Sequence, residues 1–364
     1  MNESAIKKRS KIIRRRLSEN KIDGLIVTKP ANVTYVTGFS GDDSWAVITS
    51  RKVYLITDSR YTEQAEKECR QCGIIERKKP MVEAAGGLRR KLKYVRTIAV
   101  EKTTSIATLE GLKKHIGGQV KQAGNIIEVA RSSKDADEIA VVKAAVRIAA
   151  KALEQAIRQV KPGISENELA GMLDLQVRRL GARNSFETIV AFGSNASRPH
   201  HQPGTRRLRK DDTILIDFGV RYRNYCCDLT RCFAVGRLNP FYEKVYNAVQ
   251  EAQAAAVKMV KAGVEIRKID AAAREVIRRY NLPVYEHGTG HGLGLEVHEG
   301  PAVSSQSEGE LKAGEIITIE PAVYMPGKLG VRIEDDVLVK EDGFEILSRN
   351  CPQRLSADMV IRFE

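Results

Sequence analysis

Five side chains of types that bind metal ions recur through the second half of the chain, and four of them are carboxylates. In chain order they are Asp217, Asp228, His291, Glu320 and Glu334. A buried carboxylate is costly unless a cation or strong donors compensate it. Four carboxylates and one imidazole favour hard or borderline divalent ions over a thiolate site, and carboxylates can bridge two ions. The set therefore predicts a metal centre, and two ions fit it.

The first two acids fit a hairpin. Asp217 ends the apolar run Thr213-Ile-Leu-Ile216, where a buried strand would place a hydrophobic residue. A turn at Tyr222 and Arg223, midway between Asp217 and Asp228, would make the acids direct cross-strand neighbours with Cβ atoms roughly 5 Å apart. Asn224 is the only turn-type residue near the tip, so the sequence leaves this register open.

The last two acids fit a second hairpin. Glu320 ends the apolar run Ile316-Ile-Thr-Ile319, and Glu334 follows fourteen residues later. The midpoint is Gly327, inside Pro326-Gly-Lys328, and proline followed by glycine is good turn chemistry. We expect Glu320 and Glu334 to face each other across this hairpin.

An internal repeat links the two hairpins. Residues 160–179 resemble residues 260–279 at a constant offset of one hundred, and residues 208–217 resemble residues 311–320. Asp217 then aligns with Glu320. The repeat predicts two copies of a helix-then-hairpin unit with a site on the pseudo-twofold axis between them; the alternative is chance similarity among helices rich in Lys and Arg.

Histidines form a second group of candidates. The segment Glu286–Pro301 contains His287, His291 and His298 among many glycines, and it matches neither a dinucleotide fingerprint nor the H-E-x-x-H zinc motif. His291 and His298 are expected to serve as a metal ligand and a substrate-side donor. His200 precedes the first hairpin much as His298 precedes the second, so duplication would bring both imidazoles to opposite sides of one cleft. The alternative for each is an ordinary polar loop histidine.

Size and pattern predict two domains. The chain has 364 residues, of which 42% are hydrophobic. Residues 1–130 resemble an α/β unit with a basic helix up to Glu19, and residues 131–364 begin with a long Ala-rich helix and contain the metal-type side chains. A capping box, Ser165-x-x-Glu168, opens the next helix. The predicted class is α+β.

Charge and hydropathy limit which classes of binding partner and which cellular location are expected. The net charge is +14, and residues 1–130 hold most of it, with 26 Lys and Arg against 14 Asp and Glu. These basic runs are typical of solvated helix faces, and because no aromatic residues interleave them, nucleic-acid binding is not expected. No apolar stretch is long enough to span a membrane and the N-terminus lacks a signal-peptide core, so a cytoplasmic protein is predicted.

Several of these stretches together resemble the metal-dependent proline-peptidase family, which includes prolidase and Xaa-Pro aminopeptidase and is related to methionine aminopeptidase and creatinase. The resemblance covers the whole chain, because Asn32-Val-Thr-Tyr35 and Thr57-Asp-Ser-Arg-Tyr61 are similar to the family's N-terminal domain. In the C-terminal half it rests on Ile216-Asp-Phe-Gly219, Tyr225-Cys-Cys-Asp-Leu-Thr-Arg231, His287-Gly-Thr-Gly-His-Gly-Leu-Gly294, Val297-His-Glu-Gly-Pro301, Thr318-Ile-Glu-Pro321 and Gly330-Val-Arg-Ile-Glu-Asp335. The doubled His200-His201 and the Cys226-Cys227 pair depart from the family's pattern.

The resemblance implies a creatinase-type N-terminal domain, a "pita-bread" C-terminal domain and a role for each candidate. Asp217 would bind one metal, His291 and Glu320 the other, and Asp228 and Glu334 would bridge them. A hydroxide bridging the metals would attack the scissile carbonyl, with Glu320 transferring the proton. The substrate-side residues would be His200 and His298, which stabilise the carbonyl and the oxyanion, and Arg332, which holds a substrate carboxylate or carbonyl.

The resemblance also implies an activity, hydrolysis of peptides with proline at the second position, by a homodimer that uses Mn²⁺ or, alternatively, Co²⁺ or Zn²⁺. The stretch Arg332-Ile-Glu-Asp335 and the N-terminal domain disfavour methionine aminopeptidase, and the complete ligand set disfavours creatinase, which uses no metal. A dipeptidase and an aminopeptidase acting on longer chains stay open, as does an aminopeptidase without proline preference. The rival from another class is a non-catalytic binding or scaffold protein that reuses the fold.

Overall fold

The computed structural model describes residues 3–117, 119–237, 239–351 and 360–361. It divides into two compact units, Met1–Arg131 and Ser132–Glu364. Among the described residues, no helix combines the length and the apolar character that crossing a bilayer requires.

The N-terminal unit is built on a six-stranded mixed sheet with the order β4-β3-β2-β1-β5-β6. Strands β1 and β2 and strands β2 and β3 pair antiparallel, whereas the other neighbours are parallel. The strands are β1 Gly24–Val27, β2 Trp45–Thr49, β3 Val53–Thr57, β4 Gly73–Glu76, β5 Ile98–Val100 and β6 Val120–Gln122. The helices are α1 Glu3–Glu19, α2 Pro30–Thr37, α3 Thr62–Glu68, α4 Met81–Lys91, α5 Ile106–Ile116 and α6 Ile126–Ser132.

Helix α1 explains the basic run near the N-terminus. Ile6, Ile13 and Leu17 are buried at helical spacing, while Lys7 and Lys8 are exposed. The pattern is that of an amphipathic helix with one face on the core. These lysines therefore form a solvated face, as the sequence predicts.

The C-terminal unit alternates pairs of helices with strands. Its helices are α7 Ala136–Ile157, α8 Glu166–Arg179, α9 Pro240–Lys258 and α10 Ile266–Arg279, and a 3-10 turn covers Gly193–Ser197. The strands of the first half are β7 Arg183–Asn184, β8 Ile189–Phe192, β9 Thr213–Phe218, β10 Val220–Tyr222, β11 Tyr225–Cys226 and β12 Leu229–Val235. The later strands are β13 Gly290–Gly292, β14 Glu299–Val303, β15 Ile316–Ile319, β16 Ala322–Met325, β17 Leu329–Arg332, β18 Asp335–Lys340, β19 Gly343–Ile346 and β20 Val360–Ile361. These strands pair antiparallel, except that β12 and β20 are parallel.

The backbone reproduces the internal repeat. In the first half, the N–H of Gly163 donates to the carbonyl of Leu208 at 3.1 Å; in the second, the N–H of Gly263 donates to the carbonyl of Leu311 at 2.9 Å. Helices α8 and α10 end one hundred residues apart. In the order of neighbouring strands, β8-β9-β12 corresponds to β13-β15-β18. The predicted duplication is therefore present as two matching helix-and-hairpin units.

Helix α8 begins with the predicted capping box. The N–H of Glu168 donates to Ser165 Oγ at 3.2 Å, and the N–H of Ser165 donates to the Glu168 carboxylate at 2.7 Å. This reciprocal pair satisfies two backbone donors that a helix start leaves without partners.

The first hairpin has a different register from the predicted one. Asp217 pairs with Thr230 rather than with Asp228, because the turn lies at Arg223 and Asn224 instead of Tyr222 and Arg223. Both turn residues have positive φ, 47° and 71°, as a two-residue type I′ hairpin loop requires. The shift amounts to two residues, so the acids keep the same sheet face and become diagonal neighbours.

The second hairpin has the predicted register. The last pair before the turn is Met325 with Leu329, and Gly327 at the turn has φ 70°. Pairing continues below the turn at Ile319 with Asp335. The register on both sides therefore places Glu320 opposite Glu334.

Candidate metal centre

The two hairpins meet at Thr230. This residue pairs with Asp217 on one side, and on the other it forms an isolated antiparallel bridge with Glu334. Strand β12 thus lies between an acid of the first half and an acid of the second. Backbone hydrogen bonding at Thr230 therefore joins the two duplicated hairpins.

All five metal-type side chains line one cavity of about 600 Å³. His200, His298 and Arg332 line it as well, and so do Phe186, Glu187, Thr188, Ile189, Pro199, His201, Gln202, Pro203, His287, Gly288, Gly290, Val297 and Tyr324. Residues from many separate loops and strands of the C-terminal unit therefore converge on a single space.

Three of the five ligand-type groups converge closely. One oxygen each of Asp228 and Glu334 and one ring nitrogen of His291 lie within 4.8 Å of one another. His291 Nε2 is 3.7 Å from Asp228 Oδ2 and also 3.7 Å from Glu320 Oε1. These separations suit atoms that share one cation rather than atoms that bond to each other.

The tautomer of His291 follows from its other nitrogen. Nδ1 lies 3.1 Å from the carbonyl oxygen of Gly292, and a carbonyl can only accept. Nδ1 therefore carries the proton, and Nε2 presents its lone pair to the carboxylates. Metal-binding histidines are commonly oriented by such a backbone contact.

The carboxylates have unusual protonation equilibria. Burial, together with the charges of Glu334 and Asp217, raises the pKa of Asp228 well above its usual value, and burial with the charge of Glu320 does the same for Glu334. Burial raises the pKa of Glu320 to about 7, with Arg332 opposing the shift. Burial lowers the pKa of His291 to about 4. So many acids in one buried space require positive charge or bound protons.

Asp217 is held by Arg332. The Arg332 guanidinium, 3% exposed, donates through Nη2 to Asp217 Oδ2, through Nε to Thr230 Oγ1 at 3.1 Å, and through Nη1 to Tyr324 Oη at 2.5 Å. With a fourth bond from Nη1 to the carbonyl of Pro199 at 3.4 Å, most of its five N–H groups have partners within the protein. Binding of a substrate carboxylate by Arg332 stays a prediction.

The donor set fits divalent cations. Asp217 Oδ1 and Asp228 Oδ1 are buried, and neither has a hydrogen-bond partner among the residues that the structure describes. Buried polar atoms without partners are rare, and a bound ion is one thing that satisfies them. Carboxylate oxygens with one imidazole suit Mn²⁺, Zn²⁺ or Co²⁺.

The two predicted substrate-side histidines occupy exposed positions on the cavity wall. His298 packs edge-on against His291, with ring centroids 4.3 Å apart. His200 also lines the cavity, from the loop between the 3-10 turn and β9. Their side chains are available to a ligand, whereas the metal-type side chains lie deeper.

Sequence reasoning missed His287 and Tyr324. The ring of His287 lies between Tyr285 and Tyr324, with centroids 4.9 and 5.8 Å away, and its Nε2 is 3.3 Å from Tyr324 Oη. Burial lowers the pKa of His287 to about 4. Its place in the glycine-rich segment was the available signal; Tyr324 gave none, because only the fold joins it to Arg332.

Two models of known protein families match the chain. Residues 140–341 match the model of metallopeptidase family M24, and residues 9–133 match the creatinase/prolidase N-terminal domain. The chain belongs to metallopeptidase family M24.

Proteins named as Xaa-Pro peptidases align with nearly the full length of this chain. The Xaa-Pro dipeptidase of Pyrococcus furiosus is 34% identical over 337 residues, which is 92% of this chain and 95% of that protein. Two solved structures superpose closely. The Xaa-Pro dipeptidase from Bacillus anthracis gives a TM-score of 0.92 at 31% identity, covering 98% of this chain and 100% of that one. The X-Pro aminopeptidase from Thermotoga maritima gives 0.88 at 34% identity, covering 96% and 100%.

The M24 assignment confirms the family resemblance and the predicted fold class, a creatinase-type domain followed by a pita-bread domain. It also makes this chain a metallopeptidase by family. Family membership does not test the roles of individual side chains, which stay predictions.

Proposed function

We propose that this M24 chain is a metal-dependent exopeptidase that hydrolyses the bond between a first residue and a following proline. The observation that carries the proposal is the convergence of all five metal-type side chains and two exposed histidines on one cavity. Relatives named as Xaa-Pro dipeptidase and X-Pro aminopeptidase support the choice of substrate.

In this proposal the five side chains hold two divalent ions. Asp217 would hold one ion, His291 and Glu320 the other, and both ions would share Asp228 and Glu334. The close approach of Asp228, His291 and Glu334 and the unpartnered Oδ1 atom of Asp217 support this division. The ligand set is rich in oxygen, so Mn²⁺ is the proposed native ion, with Co²⁺ or Zn²⁺ as alternatives.

Bound divalent ions would supply Lewis acidity for the scissile carbonyl and lower the pKa of water. Glu320 serves as the proton carrier, taking a proton from the attacking water and delivering it to the proline nitrogen as that bond breaks. His200 and His298 donate hydrogen bonds to the carbonyl oxygen and to the negative charge that develops on it.

Selectivity for proline has a chemical basis. A bond to proline nitrogen is a tertiary amide without an N–H, so a peptidase that needs this donor fails on it. A site that recognises the carbonyl oxygen by histidines needs no such donor. Phe186, Ile189 and Val297 line the cavity, so a proline ring and the side chain of the first residue have apolar surface to pack against.

We also propose a cytoplasmic homodimer, on the strength of the family resemblance. Sedimentation of the metal-loaded protein tests the dimer; a single species at the monomer mass of 40.4 kDa would contradict it.

One assay tests the function. The metal-loaded protein is given an Xaa-Pro dipeptide, an Xaa-Pro tripeptide and a Met-Ala peptide, and released amino acids are measured. Cleavage of the dipeptide only identifies a dipeptidase, cleavage of the tripeptide an aminopeptidase acting on longer chains. Preference for Met-Ala, or cleavage of none of the three, would contradict the proposal.

A further inference from the structure

The residue that follows each substrate-side histidine is held in a buried pair. His201 follows His200, and its Nε2 lies 2.9 Å from Glu166 Oε2, with side chains 7% and 0% exposed. Glu299 follows His298, and its Oε1 accepts from Lys134 Nζ at 2.7 Å, with side chains 8% and 0% exposed. The polarity is reversed between the pairs, but the placement is the same.

Glu166 gathers the loop that carries His200. Its Oε1 accepts from the N–H of Phe192 at 2.8 Å and from Asn195 Nδ2 at 2.7 Å, and its Oε2 accepts from His201 and from the N–H of Gly204 at 3.1 Å. All four donors belong to residues 192–204. Burial by itself would raise the pKa of Glu166, but these hydrogen bonds outweigh it, and the pKa lies below the usual value.

Glu166 is a rigid anchor because of where it lies. It is the first residue of α8, directly after the capping residue Ser165, and the helix start is fixed by the capping box. The loop around His200 has little regular structure of its own beyond the 3-10 turn. The order in this loop therefore depends on contacts to the helix.

The second pair anchors the segment around His298. Lys134 precedes α7, and its Nζ also donates to the carbonyl of Ser132 at 2.9 Å. A Cβ added to Gly294 would lie 2.6 Å from Glu299 Oε1 and 3.0 Å from Lys134 Cε. The pair is therefore packed against the end of the glycine-rich segment that carries His291.

The two pairs are not copies produced by the repeat. The position one hundred residues after Glu166 is Ile266, an apolar residue, so the duplicated unit does not itself carry the carboxylate. Each half uses a different partner from a different place in the chain. Similar placement from unrelated residues indicates a shared requirement at both histidines.

We propose that Glu166 and Lys134 are positioning residues, which act through His201 and Glu299 to aim His200 and His298 at the substrate's carbonyl oxygen. The inference rests on the proposed function. Since the peptide unit is planar, holding the backbone of one residue fixes the position of the preceding Cα atom, which limits where that residue's side chain can lie. Hydrogen-bond donors to a developing oxyanion act only from well-defined positions.

The test uses the metal-loaded full chain with an Xaa-Pro dipeptide. His201→Ala removes the donor and His201→Gln restores a donor of similar reach; Lys134→Met removes the ammonium and Lys134→Arg restores a cation. We expect His201→Ala and Lys134→Met each to lower kcat about 10-fold to 100-fold. KM and bound metal should stay near the wild-type values, and the conservative variants should recover part of the loss.

The matched control is Glu101→Gln. Glu101 is another buried carboxylate, 3% exposed, that accepts from Thr28, Lys29 and Asn32 in the N-terminal unit. Its substitution should lower the melting temperature and leave kcat unchanged. If His201→Ala and Lys134→Met behave like Glu101→Gln, the pairs are only structural and the inference is overturned.

A readout independent of turnover separates this inference from the proposed function. The chain has six histidines, so their imidazole NMR signals can be assigned by single substitutions. The His200 signal should move in His201→Ala and the His298 signal in Lys134→Met, with neither moving in Glu101→Gln. A wild-type protein that cleaves no Xaa-Pro peptide refutes the function; unmoved signals refute the positioning.

Discussion

Thr230 holds Glu334 by both backbone and side chain. The N–H of Glu334 donates to the Thr230 carbonyl at 3.3 Å, and Thr230 Oγ1 donates to Glu334 Oε2 at 2.6 Å. The same hydroxyl accepts from Arg332 Nε. One small residue therefore fixes the direction of a proposed bridging carboxylate.

Thr230→Val tests this contact. Valine keeps the shape but removes the hydroxyl that donates to Glu334 Oε2 and accepts from Arg332 Nε. We expect metal affinity to fall about 10-fold to 100-fold, because loss of a residue that hydrogen-bonds to a metal ligand commonly has an effect of this size. Titration of the metal-free protein with Mn²⁺ measures the change. Thr37→Val, which removes a buried hydroxyl bonded to Val33 and Phe39 in the N-terminal unit, is the control and should leave metal affinity alone.

Asp228→Asn tests the proposed ligand role. The side chain keeps its size but loses the charge, so bound metal and hydrolysis should fall together, by at least about 100-fold. The metal-free variant should be as stable as the wild type or more so, since one of several crowded buried acids is gone. Metal content after dialysis, peptide hydrolysis and melting temperature are measured on one preparation. Turnover retained in the variant would refute the ligand role.

The stability of the metal-free protein should fall as pH rises through neutrality. Burial raises the pKa of Glu320 to about 7, and burial with neighbouring acidic charges raises the pKa values of Asp228 and Glu334 well above their usual values. A raised carboxyl pKa means that the folded state binds more protons, so its contribution is complete below the unfolded pKa and is lost as pH rises through the folded pKa.

The contribution of His291 to stability changes with pH in the opposite direction, and it does so at lower pH. Burial lowers its pKa to about 4, so its contribution is complete above the unfolded value and is lost only as pH falls toward 4. Between about pH 6.5 and pH 8 the acids decide the slope. Melting curves with and without Mn²⁺ should separate progressively over this range; a constant or shrinking gap would contradict the assignment.

Gly330→Ala should be severely destabilising. A Cβ at Gly330 would lie 1.8 Å from the carbonyl oxygen of Ala196, a backbone atom that cannot move aside cheaply. At this contact the 3-10 turn that precedes His200 packs against β17, the strand that ends at Arg332. The control is Gly171→Ala in α8, where a Cβ meets no atom of the described part of the chain within 4 Å. Alanine there should be neutral or stabilise by up to about 1 kcal/mol. Equal melting temperatures in the two variants would contradict the close approach.

Local patterns in the sequence predicted much of this architecture. The capping box at Ser165 and the turn at Gly327 depend on residues within a few positions of each other, so both were predictable. The repeat was predictable because it is found by aligning one part of the chain with another. The first hairpin was mispredicted because Arg223 is not a typical residue for positive φ, and only Asn224 signalled the type I′ loop. The error kept the sheet face, so Asp217 and Asp228 still reached the same cavity.

The sequence by itself determined which residue types enter the site, because acids directly after buried apolar runs need compensation wherever the strands lie. It also determined the duplicated unit and the register of the second hairpin. Only the tertiary structure decided that Arg332 pairs with Asp217, that Thr230 joins the two hairpins, and that Glu166 and Lys134 hold the residues beside the histidines. These pairs join positions roughly 35 to 165 residues apart. The physical reason is that a side chain's partner at such separation depends on how strands and helices pack, which no local spacing records.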